Sequence, residues 1–300
     1  MSGEQPIRRI PVVAPVPSIL TSARPLPDVE WRDGVAWSPA SCIPSSNFPW
    51  CPAEGQTKAA SGGLSGAVGT KAFMIYTPVE CDWTTTDSEA ALQEAASQLT
   101  DAHTAWGISR ALWLGDGLPD LDTQPTLRRN AVDVTVGGVM DLDDAVAALL
   151  SAYEQCTGGN GGAVLHVPSV LVPGALGGIA GGGRVAWPEG QFYRAAMGAV
   201  LSPGPGYPHG ASADGVDGFG PKTGGADAAT TYQGNALDEV WVYVTGPVEF
   251  AVGPIDPMSL TPDATRTNRS EVIAERPAIV RFDPCCVFAA LAVNTAGLVS

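Results

Sequence analysis

The chain has 300 residues, with 31 acidic side chains against 16 basic ones and a formal charge of −15. That balance excludes a nucleic-acid-binding surface, because phosphate contact requires clustered Lys and Arg, and the only lysines are Lys58, Lys71 and Lys222. A hydrophobic content of 45% supplies a core, yet only 16% of the residues are charged, below the usual quarter. With 36 glycines and 26 prolines the chain is rich in turns and loops. Such a chain suits a subunit that hides its surface in an assembly better than a free enzyme. Its length predicts one large domain or two interleaved ones. No run of 18 apolar residues exists, so no membrane helix is expected, and prolines 6, 11, 15 and 17 interrupt any signal-peptide core.

Residues 1–55 are punctuated by proline and carry little periodicity, with Trp31, Trp37, Phe48 and Trp50 scattered through them. They read as an extended arm that packs its aromatics on another surface. The Gly/Ser/Ala-rich stretch 55–70 reads as a mobile loop or hairpin, and AFMIYTPV (72–79) as a short strand. Residues 86–114 predict a helix of about 40 Å. Its expected buried stripe is Leu92, Ala95, Leu99, Ala102, Trp106 and Trp113. A capping box of Thr86 with Glu89 would start it, and Gly115, Gly117 and Pro119 would end it.

A short strand is expected at 131–136. A second helix follows at 141–156, with Asp141 as N-cap, a face of Leu142, Val146, Leu149, Leu150 and Tyr153, and Gly158-Gly159 as its stop. AVLHVP (163–168) predicts a buried strand, 169–176 a small helix or turn, and 196–207 a strand leading into a long loop at 209–234. The chain ends in β: 239–255 alternates on both sides of Gly246-Pro247, and 276–282 and 286–293 supply the last strands.

Motifs of catalysis are missing as a class. GLSGA at 63–67 lacks the last glycine of a nucleophile elbow and no strand precedes it. The glycine run 177–183 has neither a P-loop lysine nor a dinucleotide pattern. Asp116, Asp120 and Asp122 lack the spacing of a calcium loop. His103, His166 and His209 form no i, i+4 metal pair, and His103 and His166 read as hydrogen-bonded structural residues. Cys42, Cys51, Cys81, Cys156, Cys285 and Cys286 fit no zinc spacing and read as mostly reduced core residues. Cys285 and Cys286 are expected not both to form disulfides, since neighbours on a strand point to opposite faces. Asn268-Arg269-Ser270 is a formal glycosylation sequon read as accidental. No catalytic residue, cofactor or metal is therefore assigned.

Three blocks carry a resemblance. They are the long helix ending in SRALWLGDG (109–117); DLDDAVAALLSAYEQCTGGNGGAVLHVPSVLV (141–172) with MGAVLSPGPGY (197–207); and VWVYVTGPVEF (240–250) with NRSEVIAERPAIVRFDPCCVFAALAV (268–293). In this order they resemble the major capsid proteins of tailed bacteriophages, the Hong Kong 97-like family, and particularly those of phages of actinobacteria.

The resemblance implies an α+β capsid fold with a long spine helix. Residues 1–55 would be the N-terminal arm and 56–71 the extended loop that reaches over a neighbour. A peripheral domain would hold the spine helix (72–136) and the last β segments (236–300), with an axial domain at 137–235. The implied function is a major capsid subunit that assembles in the host cytoplasm into the icosahedral shell around phage DNA. Its implied partners are itself, as hexamers and pentamers, together with scaffold, portal and decoration proteins; DNA would be enclosed without specific binding. Subunit contacts are expected at Trp31, Trp37, Phe48, Trp50, Lys58 and Lys71. The loop is shorter and richer in glycine than in better-known members, and no long charged helical N-terminal region resembles a built-in scaffold. A Lys–Asn cross-link, known in some members, would use Lys58 or Lys71, but its Glu-assisted pocket has no recognisable counterpart. A minor capsid, decoration or tail protein is the alternative within phage structure, and an enzyme with an unrecognised site the alternative outside it. The arm and the loop are expected to be ordered only by neighbouring subunits.

Overall fold

A computed structural model describes residues 18–26, 30–37, 68–82, 89–119, 124–136, 138–159, 162–172, 186–189, 192–195, 198–207, 239–260 and 269–293. In chain order its elements are α1 (Ile19–Ser22), β1 (Arg24–Pro25), β2 (Val35–Trp37), β3 (Val68–Thr70), β4 (Phe73–Asp82), α2 (Glu89–Leu114), α3 (Leu127–Asn130) and β5 (Val132–Asp133). After them come α4 (Leu142–Thr157), β6 (Val164–Pro168), β7 (Ala186–Glu189), β8 (Phe192–Ala195), β9 (Val200–Gly204), β10 (Glu239–Thr245), β11 (Val248–Val252), β12 (Asp256–Leu260), β13 (Arg269–Phe282) and β14 (Phe288–Val293). A single 3-10 turn, Ser169–Leu171, follows β6. Two compact units result. The first holds Met74–Thr104 and Val252–Pro277; the second holds Val16–Phe73, Ala105–Ala251 and Ala278–Ser300. Both α2 and β13 run through the boundary.

In the first unit, β12 pairs antiparallel with β13, and β4 pairs with β13 as well. The opening turns of α2 lie on this sheet through Leu92 and Ala96 against Val272 and Ala274, with Val79 and Ile255 at the margin. Of the expected stripe Leu92, Ala102 and Trp113 are buried, whereas Ala95 and Leu99 are half-buried and Trp106 is exposed. Leu92, Ala96, Thr100 and Thr104 form one buried i, i+4 row of the helix. Threonine can occupy it because Thr100 Oγ1 sits 2.9 Å from the Ala96 carbonyl and Thr104 Oγ1 2.9 Å from that of Thr100. A hydroxyl satisfied by the preceding turn can be buried without an orphaned donor. The Thr100 hydroxyl also lies 3.2 Å from the Ala274 carbonyl, tying helix to strand. Arg276 does the same from the other side, donating to Asp101 at 2.7 Å, Thr104 at 2.9 Å and the Gly253 carbonyl at 3.1 Å.

The second unit is built on a seven-stranded sheet in the order β5-β14-β10-β6-β9-β8-β7. Its centre is β10, antiparallel to both β14 and β6, and β6 is parallel to β9. Val146, Leu149, Leu150 and Tyr153 of α4 pack with Leu165, Val167, Leu201, Val240, Val242 and Val244 into one core. The helix begins at its Asp141 N-cap and stops at Gly158, whose left-handed φ of 65° ends it. In β10 Val240 through Thr245 are all buried. Its alternation is of valines on one face with Trp241, Tyr243 and Thr245 on the other, as in a strand covered on both sides. At Gly246-Pro247 the chain leaves this sheet, because β11 pairs with β1 and β13 instead.

Parts of the arm and loop fold within one chain, which corrects the expectation that only neighbours order them. Ile19 of α1 is fully buried, and β2 of the arm pairs antiparallel with β3 at the end of the loop. Gly34 makes this ribbon possible: its φ is +105°, and a Cβ there would fall 2.8 Å from the Thr70 carbonyl oxygen. The Gln124 carboxamide oxygen accepts from the Lys71 N–H at 2.9 Å and fixes the ribbon's end.

The cysteine expectation is also corrected. Cys156, at the end of α4, is bonded to Cys286 with the Cα atoms 5.9 Å apart, and Cys285 is disulfide-bonded too. The face argument fails because β14 begins only at Phe288. Cys285 and Cys286 lie in a bend where the Asp283 carboxylate accepts the Cys285 N–H at 3.1 Å, so strand alternation does not apply.

Candidate interaction surfaces

The group most open to a catalytic reading is His166, in the middle of β6. The turn 204–207 carries Tyr207 over it, and that turn approaches α2 so closely that a Cβ on Gly206 would fall 2.3 Å from the Trp106 carbonyl oxygen. His166 Nδ1 lies 2.7 Å from Tyr207 Oη and Nε2 lies 2.8 Å from Thr245 Oγ1. Thr245 donates its single proton to the Gly246 carbonyl at 2.7 Å. It must therefore accept from Nε2–H, which leaves Nδ1 to accept from the Tyr207 hydroxyl. Every group in this chain is satisfied with the imidazole neutral, and burial holds the His166 pKa down at about 3. Burial pushes the Tyr207 hydroxyl's pKa up.

Trp113 closes the cluster, with ring centroids 4.8 Å from Tyr207 and 4.5 Å from Tyr243. His166, Tyr207, Thr245 and Trp113 are all buried, so the cluster offers no face to a substrate and works as a polar knot inside the core. His103 lies exposed on α2, outside the structural role expected of it. Among the described residues no group of three His, Cys, Asp or Glu side chains is placed to hold a metal, and no helix is long and apolar enough to cross a membrane.

Exposed apolar side chains point instead to interaction. Alternation on β4 buries Ile75 and Thr77 and leaves Met74, Tyr76, Pro78 and Glu80 on the opposite face, where Tyr76 is 64% exposed. On β12 and β13 the register puts Met258 opposite Ile273, Leu260 opposite Glu271 and Asp256 opposite Glu275. The intervening pairs Ser259–Val272 and Pro257–Ala274 belong to the helix face: Val272 and Ala274 pack on α2, and Ser259 accepts from Gln93 of the helix at 2.9 Å. Since Val79 packs on the same cluster, the even positions of β4 share the open face with Met258, Leu260 and Ile273. In the second unit Trp106 is 47% exposed, a correction to its expected burial. Its ring carries the Arg110 guanidinium at 5.1 Å, and Arg110 also pairs with Asp116.

Of the expected contact residues, Trp31 and Trp37 are half-buried and Lys71 is exposed. Trp37 lies under the guanidinium of Arg281 at 5.6 Å, and Arg281 donates to Glu249 at 2.7 Å. Phe48, Trp50 and Lys58 lie outside the described residues, as do His209, Asp120, Asp122, the Thr86 cap, the glycine run 177–183 and the loop at 209–234. The open face of β4 was missed in the sequence. Its signal is there in FMIYT, which is apolar at both parities and so larger than one buried face needs.

No family model matches the chain, and no curated protein matches it. Solved structures do. That of Microbacterium phage Oxtober96 is similar over 98% of this chain and 96% of that one, at a TM-score of 0.56 and 11% identity. That of Gordonia phage Cozz is similar over 92% of this chain and 86% of that one, at 0.52 and 13%. The capsid of an empty GTA particle is similar over 98% and 94%, at 0.50 and 13%. The chain has a phage capsid fold of mixed helix and sheet.

Proposed function

We propose that the chain is the major shell subunit of a tailed phage, assembling with copies of itself into an icosahedral capsid around the genome. The observation that carries this reading is the extent of the fold match, which spans 98% of this chain and 96% of the Oxtober96 structure, so that little of either is left over for another task. On this reading 72–136 and 236–300 make the peripheral domain and 137–235 the axial domain of a Hong Kong 97-like subunit. Residues 1–55 and 56–71 are its arm and loop, and Trp31, Trp37, Phe48, Trp50, Lys58 and Lys71 meet neighbours. An inner surface drawn from a chain of charge −15 repels DNA and lets it slide during packaging. Scaffold, portal and decoration proteins are the further partners, and the site of assembly is the host cytoplasm.

Expression of the chain, alone and with its phage partners, followed by negative-stain microscopy and sedimentation, tests the reading. Closed particles or capsomer rings are expected. A stable monomer under every solvent condition overturns it, and a faint band in the virion would assign the chain to a minor component instead.

A further inference from the structure

The open face of the first unit combines two features that are awkward together in water. It carries Met74, Tyr76, Met258 and Leu260 as exposed apolar groups. Among them stand Asp256, Glu271 and Glu275, none of which has an ion-pair partner among the described residues. Asp256 and Glu275 are directly opposite each other across β12 and β13, and like charges in that relation repel. An apolar surface studded with unpaired carboxylates is complementary to an apolar segment carrying guanidinium groups.

The sequence holds two adjacent arginine pairs, Arg8-Arg9 and Arg128-Arg129. The second pair lies in α3 of the second unit. The first lies in IRRIPVV (7–13), before the first described residue, Ser18. Pro6 and Pro11 favour an extended backbone there. In an extended segment Ile7, Arg9 and Val13 fall on one side and Arg8, Ile10 and Val12 on the other, so either side presents apolar groups with one arginine. We propose that residues 7–13 of the chain dock on the face formed by Met74, Tyr76, Met258 and Leu260, with Arg8 or Arg9 set between Asp256 and Glu275. The apolar side chains cover the sheet, and the guanidinium relieves the carboxylate pair. Because the contact is partly ionic at a surface, it weakens as salt is raised.

The test places a photo-reactive phenylalanine analogue at Tyr76 in the full chain and maps its cross-links by mass spectrometry. Cross-links to residues 1–17 are expected, falling at least tenfold in the double variant R8E/R9E and returning when that variant is combined with D256K/E275K. Hydrogen exchange of Met74 to Pro78 is read in parallel and should quicken in R8E/R9E alone. Cross-links to another segment, no cross-links, or a yield indifferent to charge reversal overturn the proposal. Asp256 and Glu275 lie outside the buried cores, and a circular dichroism spectrum of each variant checks that the fold is kept. The readout needs no particle, so a chain that forms no shell still tests the docking separately from the capsid reading.

Discussion

The two sheets use similar residues and bury them differently. In the seven-stranded sheet β10 runs Val-Trp-Val-Tyr-Val-Thr with all six buried, valines toward α4 and the Tyr243 ring against Trp113. In the first unit β4 runs Met-Ile-Tyr-Thr from Met74, yet Met74 and Tyr76 stand in solvent. Strands apolar on both faces need a cover on both, and only one of these sheets supplies both covers from its own described residues. Stability of the subunit is therefore concentrated in the second unit, and capacity for further contact in the first. Each prediction below can break that division or sharpen it.

The largest expected effect is on the second unit's staple. Cys156 and Cys286 are 130 residues apart, and closing a loop of that size in the unfolded chain is worth about 5 kcal/mol by the chain-entropy estimate. The double variant C156S/C286S should lose a comparable amount in urea titrations, and addition of a thiol reductant to the native chain should approach it. If reduction leaves the unfolding midpoint unmoved, the sheet of the second unit does not depend on its staple.

Next comes Trp113→Ala. The ring is fully buried between Tyr207 and Tyr243, and removing a core Trp costs about 3–5 kcal/mol through lost burial and the cavity left behind. Trp106→Ala, seven residues earlier on the same helix but half in solvent, should cost under about 1 kcal/mol in the same measurement. Equal losses would contradict the burial difference between them.

These two tryptophans also mark how far the sequence could be read. The helix α4 was legible from Asp141 to Gly158, because cap, apolar face and stop all agreed with one period. The course of α2 was legible, and so was the burial of Leu92, Ala102 and Trp113, but the row through Ala96, Thr100 and Thr104 was not. The choice between Ala95-Leu99 and Ala96-Thr100 depends on the strand it lies upon, and threonine becomes a core residue only by bonding the preceding turn. The disulfide was not legible, since spacing along the chain says nothing of a bend that brings residue 286 to the end of α4. The open face of β4 could have been inferred from apolar residues at both parities. The tyrosine knot at His166 could not, because Tyr207 comes from a turn 41 residues away in sequence.

A third effect is smaller and depends on pH. The His166 pKa is about 3 in the folded chain against about 6.5 unfolded. Above pH 6.5 the histidine is neutral in both states and adds no pH dependence. As pH falls below 6.5 the unfolded chain takes up a proton that the folded chain refuses, so stability is lost at about 1.4 kcal/mol per pH unit down to the folded pKa. Between pH 6.5 and 5 this amounts to about 2 kcal/mol. His166→Gln should be less stable at neutral pH yet shed that slope. A slope unchanged in the variant would mean that other groups carry it.

The smallest expected effect on the folded subunit is that of M74S/Y76S on the open face. Both side chains are about half or more exposed, so they leave little water on folding and their loss should change subunit stability by no more than about 0.5 kcal/mol. Contact with another segment or another copy should respond far more, because the apolar area of those two side chains would be covered only there. At about 25 cal/mol per Å², covering some 100 Å² contributes about 2.5 kcal/mol, enough to change a binding constant by a factor of several tens. Urea titration of dispersed subunits and sedimentation of assembled material, run on the same preparation, separate the two quantities. Unchanged unfolding with weakened assembly would sharpen the division between the units. Unfolding weakened as much as in Trp113→Ala would break it, since the face would then be buried within its own subunit.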